Sequence, residues 1–448
     1  MAETLPPDEH RRAGSKRSSK SGKVADFRYK RSSQPNDKGA RDRRCGPSRG
    51  SGEEYAHGPT GKRTPQAYDN ARAAQPFLKK RKGESTKPAK GLHRPRPAHG
   101  AARSGEAYAA LDLGTNNCRL LIARPSGGGD FTVIDAFSRV VKLGEDLATT
   151  GRLSQEAMDR ALGALSVCAE KLRRRNVRLA RSVATEACRR AANGAEFIER
   201  VRRETGIVLD IISAEEEARL AVLGCHILLE EGDSPAVIFD IGGGSTELVL
   251  LEPPGKSGNR VPRILDWQSV PWGVVSLTDT VKPETSIGDP QAMRLDRYAR
   301  MRARVSESFA PFATRIADAA QADNIRLLGT SGTVTTLASL HLELPHYDRK
   351  AVDGLIVPAQ SMRAISADLS GMSPEKRSEL PCIGNDRADL VVAGCAILES
   401  ILDLWPAKRL GVADRGIREG ILRSLMAAER QSERALKALH ESRSTKRG

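Results

Sequence analysis

The sequence predicts an α/β protein of two similar domains that grip a phosphate between them, preceded by a basic tail with no fold of its own. Three observations predict it. The turn Leu111-Asp112-Leu113-Gly114-Thr115-Asn116-Asn117 is echoed by Phe239-Asp240-Ile241-Gly242-Gly243-Gly244-Ser245-Thr246-Glu247. Apolar runs flank both turns, Tyr108 to Leu111 and Leu120 to Ala123 in the first, Ala236 to Phe239 and Leu248 to Leu251 in the second, which reads as strand, turn, strand, twice. Residues 1–105 hold 26 Lys and Arg against 10 Asp and Glu, a net +16 that is the basic excess of the whole chain. That stretch is rich in Gly, Pro, Ser and Arg and poor in large aliphatic residues, so it cannot bury enough apolar surface to offset its ordering entropy. It is expected to be a disordered tail. The neutral remainder suffices for two domains, 106–235 and 236–425, with a polar end over 426–448.

The elements follow in order. After the first hairpin, Phe131 to Ala136 and Arg139 to Lys142 read as strands. Ser154 caps a helix running to about Arg174, with Glu156 in its first turn. Leu179 to Thr185 is a strand, Ala195 to Thr205 a helix and Val208 to Ile212 a strand. Ser213 then caps a helix that begins Ala214-Glu215-Glu216-Glu217-Ala218-Arg219 and runs to about Leu229. The second hairpin follows, then a strand over Ile264 to Val270 and a long helix over Asp289 to Asp318. Ile325 to Thr330 is a short strand that leads through Ser331-Gly332-Thr333 into a helix from Val334 to Leu340. Asp386 to Leu404 is a strongly apolar helix, Arg409 to Val412 a strand and Gly416 to Arg430 the last helix, ahead of a frayed polar end.

Several function classes are disfavoured. No apolar stretch reaches the ~18 residues of a membrane span, and the N-terminus has no apolar core of a secretory leader. Seven cysteines without CxxC spacing fit reduced thiols in a cytoplasmic protein better than disulfides or a zinc site. The eight histidines show no paired spacing near a motif and no Ser/His/Asp or Cys/His arrangement is visible, so covalent catalysis is not indicated.

The two turns carry the chemistry. Glycines let backbone N–H groups converge on an anion without Cβ interference, and a carboxylate at a strand end can hold a hard cation or a water beside it. A single Asp-x-Gly is a common hairpin turn. Thr115, Asn116 and Asn117 add side-chain donors to the first turn, and three consecutive glycines are a costly choice for a purely structural hairpin in the second.

The stretches Ala109 to Ala123, Ala184-Thr185-Glu186-Ala187-Cys188-Arg189, Ile212 to Arg219, Val237 to Leu251, Gly329 to Leu337 and Val412 to Ile421 resemble the exopolyphosphatase and guanosine pentaphosphate phosphohydrolase (Ppx/GppA) family, in that family's order over residues 106–425. The resemblance implies an actin-like fold of two ribonuclease-H-like domains around a phosphate cleft. It implies that Glu217 activates the attacking water, while Glu215 and Glu216 keep the ordinary role of acids in a helix's first turn. Asp112 and Asp240 become the carboxylates that organise Mg²⁺, with Glu247 in the same metal and water shell. Gly114, Thr115, Asn116 and Asn117 would clamp phosphates from the first domain, and Gly242, Gly243, Gly244 and Ser245 from the second. Arg189 matches a family arginine that neutralises phosphate charge, against the plain alternative of a surface helix arginine. Arg119 reads as structural. Ser331, Gly332 and Thr333 fit either an anion at a helix N-terminus or close packing.

The expected function is Mg²⁺-dependent release of terminal phosphate from polyphosphate. The alternative substrate is guanosine pentaphosphate, and the absence of the longer members' C-terminal extension argues against processive action on long chains. A second class is a polyanion- or RNA-binding sensor, with the tail (Arg41, Arg43, Arg44, Lys79, Lys80, Arg81, Lys82) as the contact, against a solvated extension. A sugar kinase on the same fold is disfavoured, because Glu217 supplies a water-activating group and no sugar-binding insertion is evident. A homodimer is the remaining partner reading, and no membrane partner is expected.

Overall fold

The computed structural model describes residues 105–126, 130–252, 261–283, 290–320 and 325–445. The tail expected over 1–105 lies outside the described residues except for Gly105.

Two sheets organise the chain. The first contains β1 (Ala107–Leu113), β2 (Asn117–Ser126), β3 (Asp130–Val140), β4 (Val177–Ala184) and β5 (Asp210–Ile211), in the order β3-β2-β1-β4-β5. Its first three strands are antiparallel neighbours, and β4 and β5 extend the sheet in parallel. The second contains β6 (Ala236–Ile241), β7 (Thr246–Leu251), β8 (Ile264–Val270), β9 (Arg326–Thr330), β10 (Ile356–Pro358) and β11 (Arg409–Ala413), in the order β10-β11-β9-β6-β7-β8. Strands β6, β7, β8, β9 and β11 repeat the order and directions of β1 to β5, with β10 added antiparallel at the edge. This is the duplicated α/β architecture that the two hairpins predict, and the actin-like fold that the family resemblance implies.

Alternate side chains of β1 enter two different cores. Ala107, Ala109, Leu111 and Leu113 pack under the Gln155–Arg174 helix, whereas Tyr108 and Ala110 meet Leu121, Ala123, Ile421, Leu422 and Leu425. A strand covered on both faces needs a continuous apolar run, which is what the sequence shows. β6 behaves likewise, with Val237, Phe239 and Ile241 on one face and Ile238 on the other. Burial of a side chain such as Phe239, fully enclosed, is worth about 1.5–3 kcal/mol.

The Ala214–Cys225 helix lies between the sheets. Leu220 faces the first, while Ala218, Val222 and Cys225 face the second. It crosses the final helix, Ile417–Thr445, at a very short distance: a Cβ on Gly420 would stand 2.0 Å from the Leu220 carbonyl oxygen. Only glycine permits that approach.

The structure departs from the sequence reading in several places, among them three short helices it did not give, Leu147–Thr150, Glu186–Arg190 and Val274–Thr280. The two strands expected between Phe131 and Lys142 are one strand, β3, that absorbs a register shift at Ile122/Ala123. Residues 341–385, left without elements, carry β10 and the helices Arg349–Val352, Ala359–Gly371 and Pro374–Glu379. The apolar helix expected from Asp386 begins at Leu390. The last helix runs on to Thr445, through the polar end expected to fray, and it packs on the first sheet although it starts inside the 236–425 span, because its Ile421, Leu422, Leu425 and Met426 stripe meets Tyr108 and Ala110. Among the described residues no helix is long and apolar enough to cross a membrane.

Candidate active site

Each glycine turn closes in the same way. Gly114 N–H donates to the Asn117 carbonyl at 2.9 Å, and Gly242 N–H donates to the Ser245 carbonyl at 2.9 Å. The turns come from opposite sheets and touch. A Cβ on Gly243 would lie 3.1 Å from the Asn116 nitrogen, and one on Gly244 would lie 2.6 Å from Thr115 Oγ1 and 2.9 Å from Glu186 Cγ. The second turn is glycine-rich because the first turn occupies the space a side chain would need.

Between them is a cavity of about 140 Å³. Asp112, Gly114, Thr115, Asn116 and Asn117 line it from the first sheet, and Asp240, Gly242, Gly243, Gly244, Ser245 and Glu247 from the second, with Glu217 from the helix between. The structure therefore brings together every site residue expected from the sequence except Arg189. Ser213 accepts from Glu216 N–H at 3.1 Å, as the N-cap signal predicts, and this cap sets the turn of helix that presents Glu217. The neighbouring acids point to other work: Glu216 pairs with Arg219 at 2.7 Å and Arg181 at 2.8 Å, and Glu215 does not line the cavity.

Arg189 is neither a surface arginine nor part of the cavity lining. Its Nη1 donates to Glu217 Oε2 at 3.0 Å and to the Ile212 carbonyl at 2.8 Å, while Nε and Nη2 donate to Glu186 Oε2 at 3.1 and 2.7 Å. Glu247 gives Oε1 to two hydroxyls, those of Ser245 at 2.7 Å and Ser269 at 2.8 Å, and so fixes the Ser245 side chain in the turn. At the third motif, Ser331 Oγ accepts from the N–H groups of Thr333 and Val334. Those amides are spent on a helix cap, which favours the packing alternative over an anion site there.

The acids share one electrostatic character. Glu217 is 7% exposed, and burial, followed by the charges of Glu247 and Asp112, holds its carboxyl well above the usual range against the pull of Arg189. Burial, then Glu247 and Asp112, pushes Asp240 up to about 8, with Arg119 opposing. Burial also raises Asp112, against Arg119 and Arg418, and raises Glu247, against its two serine hydroxyls. Arg119, read from the sequence as structural, is thus part of the site: it pairs in register with Asp112 across β1 and β2 and lines the cavity.

The donor set suits a hard divalent cation. Asp112 Oδ1 is buried with no hydrogen-bond partner, and burial holds both Asp112 and Asp240 above the usual carboxylate range despite the opposing charge of Arg119. Among the described residues no three acidic, His or Cys side chains converge to cage an ion by themselves. Mg²⁺ fits that arrangement, since it commonly takes one or two carboxylates and fills its remaining positions with water and substrate phosphate.

Sequence reasoning missed Glu186 and Arg387 as cavity residues, and a second cavity of about 440 Å³ that shares Asp112, Asp240 and Arg119 with the first and continues past Arg387, Tyr347 and Arg418. Glu186 stands beside Thr185 in a stretch already singled out; for Arg387 the sequence carries no local signal.

Comparison with known proteins gives a consistent picture. A family model described as the Ppx/GppA phosphatase family matches residues 121–429. An exopolyphosphatase 2 of Mycobacterium tuberculosis is 31% identical over 331 residues, which cover 71% of this chain and 98% of that protein. Among solved structures, an Aquifex aeolicus member of the Ppx/GppA family is similar at 28% identity with a TM-score of 0.58, covering 72% of this chain and 98% of that one. An exopolyphosphatase from Cytophaga hutchinsonii is similar at 25% identity with a TM-score of 0.62 and the same coverage.

Proposed function

The chain belongs to the Ppx/GppA phosphatase family, and from that premise we propose that it is an exopolyphosphatase, a hydrolase of phosphoanhydride bonds that releases the terminal phosphate of inorganic polyphosphate with Mg²⁺. The observation that carries this reading is the buried Glu217 carboxylate in a cavity whose walls are two glycine turns rich in anion donors. Gly114 and Gly242, whose N–H groups close the turns, shape the walls, and Gly243, Gly244, Thr115, Asn116, Asn117 and Ser245 surround the terminal phosphoryl group. Glu217, held by Arg189, accepts a proton from water as the water oxygen bonds to the terminal phosphorus. The bridging P–O bond breaks, and its electron pair leaves with the shortened chain. Asp112 and Asp240 would hold Mg²⁺, which supplies positive charge to the phosphoryl oxygens. A carboxyl raised by burial suits the role, since a base poised nearer neutrality is the more effective.

The second cavity supports a second substrate reading: its roughly 440 Å³ beyond Asp112 and Asp240, lined by Arg349, Arg387, Arg415 and Arg418 with Tyr347 beside them, has room for further phosphates of a chain or for the nucleoside end of guanosine pentaphosphate. The test is phosphate release measured side by side from short polyphosphate, long polyphosphate and guanosine pentaphosphate, with E217Q alongside. E217Q should lose about 10²–10⁴-fold in kcat while still binding substrate; full activity in that variant would overturn the assignment.

A further inference from the structure

Glu186 plays no part in the mechanism above, yet it is wired to it. It lies in the five-residue Glu186–Arg190 helix, one turn before Arg189, so the two side chains share a face. A guanidinium has five N–H donors in a fixed fork. In Arg189 the Nε/Nη2 edge is committed to Glu186 Oε2 (3.1 and 2.7 Å), and Nη1 reaches both the Ile212 carbonyl (2.8 Å) and Glu217 Oε2 (3.0 Å). Ile212 immediately precedes the Ser213 cap of the helix that carries Glu217. The guanidinium is therefore pinned on one edge by Glu186 and on the other by the start of that helix, and Glu217 takes the donor that this pose delivers.

The pin is also part of the contact between the two turns. The Glu186 stem lies against Gly244, where a Cβ would come within 2.9 Å of Cγ and 3.4 Å of Cβ. Glu186 lines the cavity, and its side chain is 16% exposed. An ordinary helix-surface ion pair has none of these features. We propose that Glu186 is a positioning residue for the hydrolysis: it clamps the Nε/Nη2 edge of Arg189, so that Nη1 is held on the Glu217 carboxylate and kept from the phosphate. Without Glu186 that edge loses both of the hydrogen bonds it makes here, and the guanidinium is free to turn toward the nearest anion, which in the working enzyme is substrate. The inference rests on the hydrolase reading for its kinetic consequence and on geometry alone for the pose.

Two experiments test it. In the full chain with Mg²⁺ and short polyphosphate, E186A should lower kcat by about 10–100-fold, the usual cost of losing an outer positioning partner. KM should fall or stay within about threefold, since binding groups are left in place. E186Q, which keeps an oxygen at the Oε2 position, should recover most of the loss, and E186A/R189A should be no slower than R189A. Losses that multiply in the double variant, or E186Q as slow as E186A, would overturn the proposal. If E186A does not fold, the same cycle is read with E186M, which keeps the length of the side chain and removes both oxygens. A crystal structure of E186A reads the pose without turnover: Arg189 Nη1 moved off Glu217 supports the clamp, and Nη1 still on Glu217 Oε2 refutes it. Failure of the hydrolase reading shows up separately, as an active E217Q.

Discussion

Asp112 and Asp240 occupy the same position in two copies of one topology: each is the penultimate residue of the first strand of its sheet, β1 and β6, and each lines both cavities. Their equivalence puts two buried acids on one site, each raised by burial against the opposing charge of Arg119. The cost of that arrangement should be visible in the stability of the protein before it is visible in its activity.

The folded-state pKa of Asp240, about 8, lies above its ordinary 3.8. A group raised in this way supports the fold at pH below its ordinary value, and the support is lost as pH rises through about 8. The Tm of metal-free protein should fall between pH 5 and pH 9, and fall less in D240N. Mg²⁺ should raise Tm more at pH 8 than at pH 5, because the cation binds the ionised form. A Tm in D240N that follows pH as in the parent protein would contradict the role given to Asp240.

Glu217 acts only when ionised, so kcat/KM should rise with pH through a midpoint above the ordinary carboxylate range. Arg189 opposes the upward shift caused by burial, Glu247 and Asp112. Replacing it with glutamine should move the acid limb further toward alkaline pH. An unmoved limb in R189Q would detach Arg189 from Glu217.

Gly244→Ala places a methyl group 2.6 Å from Thr115 Oγ1 and 2.9 Å from Glu186 Cγ, across the contact between the turns. The turns must part by several tenths of an ångström. Misplaced phosphate donors should lower kcat/KM by about tenfold or more, with circular dichroism unchanged. Normal kinetics in G244A would mean that the turns do not act at this separation.

Gly420→Ala tests the helix crossing rather than the site. The new Cβ meets a backbone oxygen at 2.0 Å, which no rotamer change relieves, so the helices must separate. Destabilisation of about 1–3 kcal/mol is expected from overpacking of this kind, read as a lower urea midpoint at unchanged m-value.

What was legible in the sequence is what local chemistry encodes. The strand ends at Asp112 and Asp240, the glycine turns and the Ser154 and Ser213 caps all depend on neighbours within a few residues, and each stands where it was expected. In residues 341–385 the Arg349–Val352 and Pro374–Glu379 helices have too few turns for a periodic stripe, whereas Ala359–Gly371 does carry one (Met362, Ile365, Leu369), diluted by the Ser, Ala and Asp between. Glu186 was hidden for a different reason. Its five-residue helix was not foreseen, and a lone acid in such a segment does not name its tertiary partner, so only the bonds to Arg189 and the contact with Gly244 reveal its place. The partner of the final helix was likewise a tertiary fact, since an apolar stripe does not say which sheet it meets.

The Ala214–Cys225 helix, with one side on each sheet, carries Glu217 in its first turn. The proton acceptor thus stands on an element that packs on both sheets, and the phosphate donors stand on the sheets themselves, so a substitution that loosens either sheet's grip on this helix reaches Glu217 and a glycine turn together.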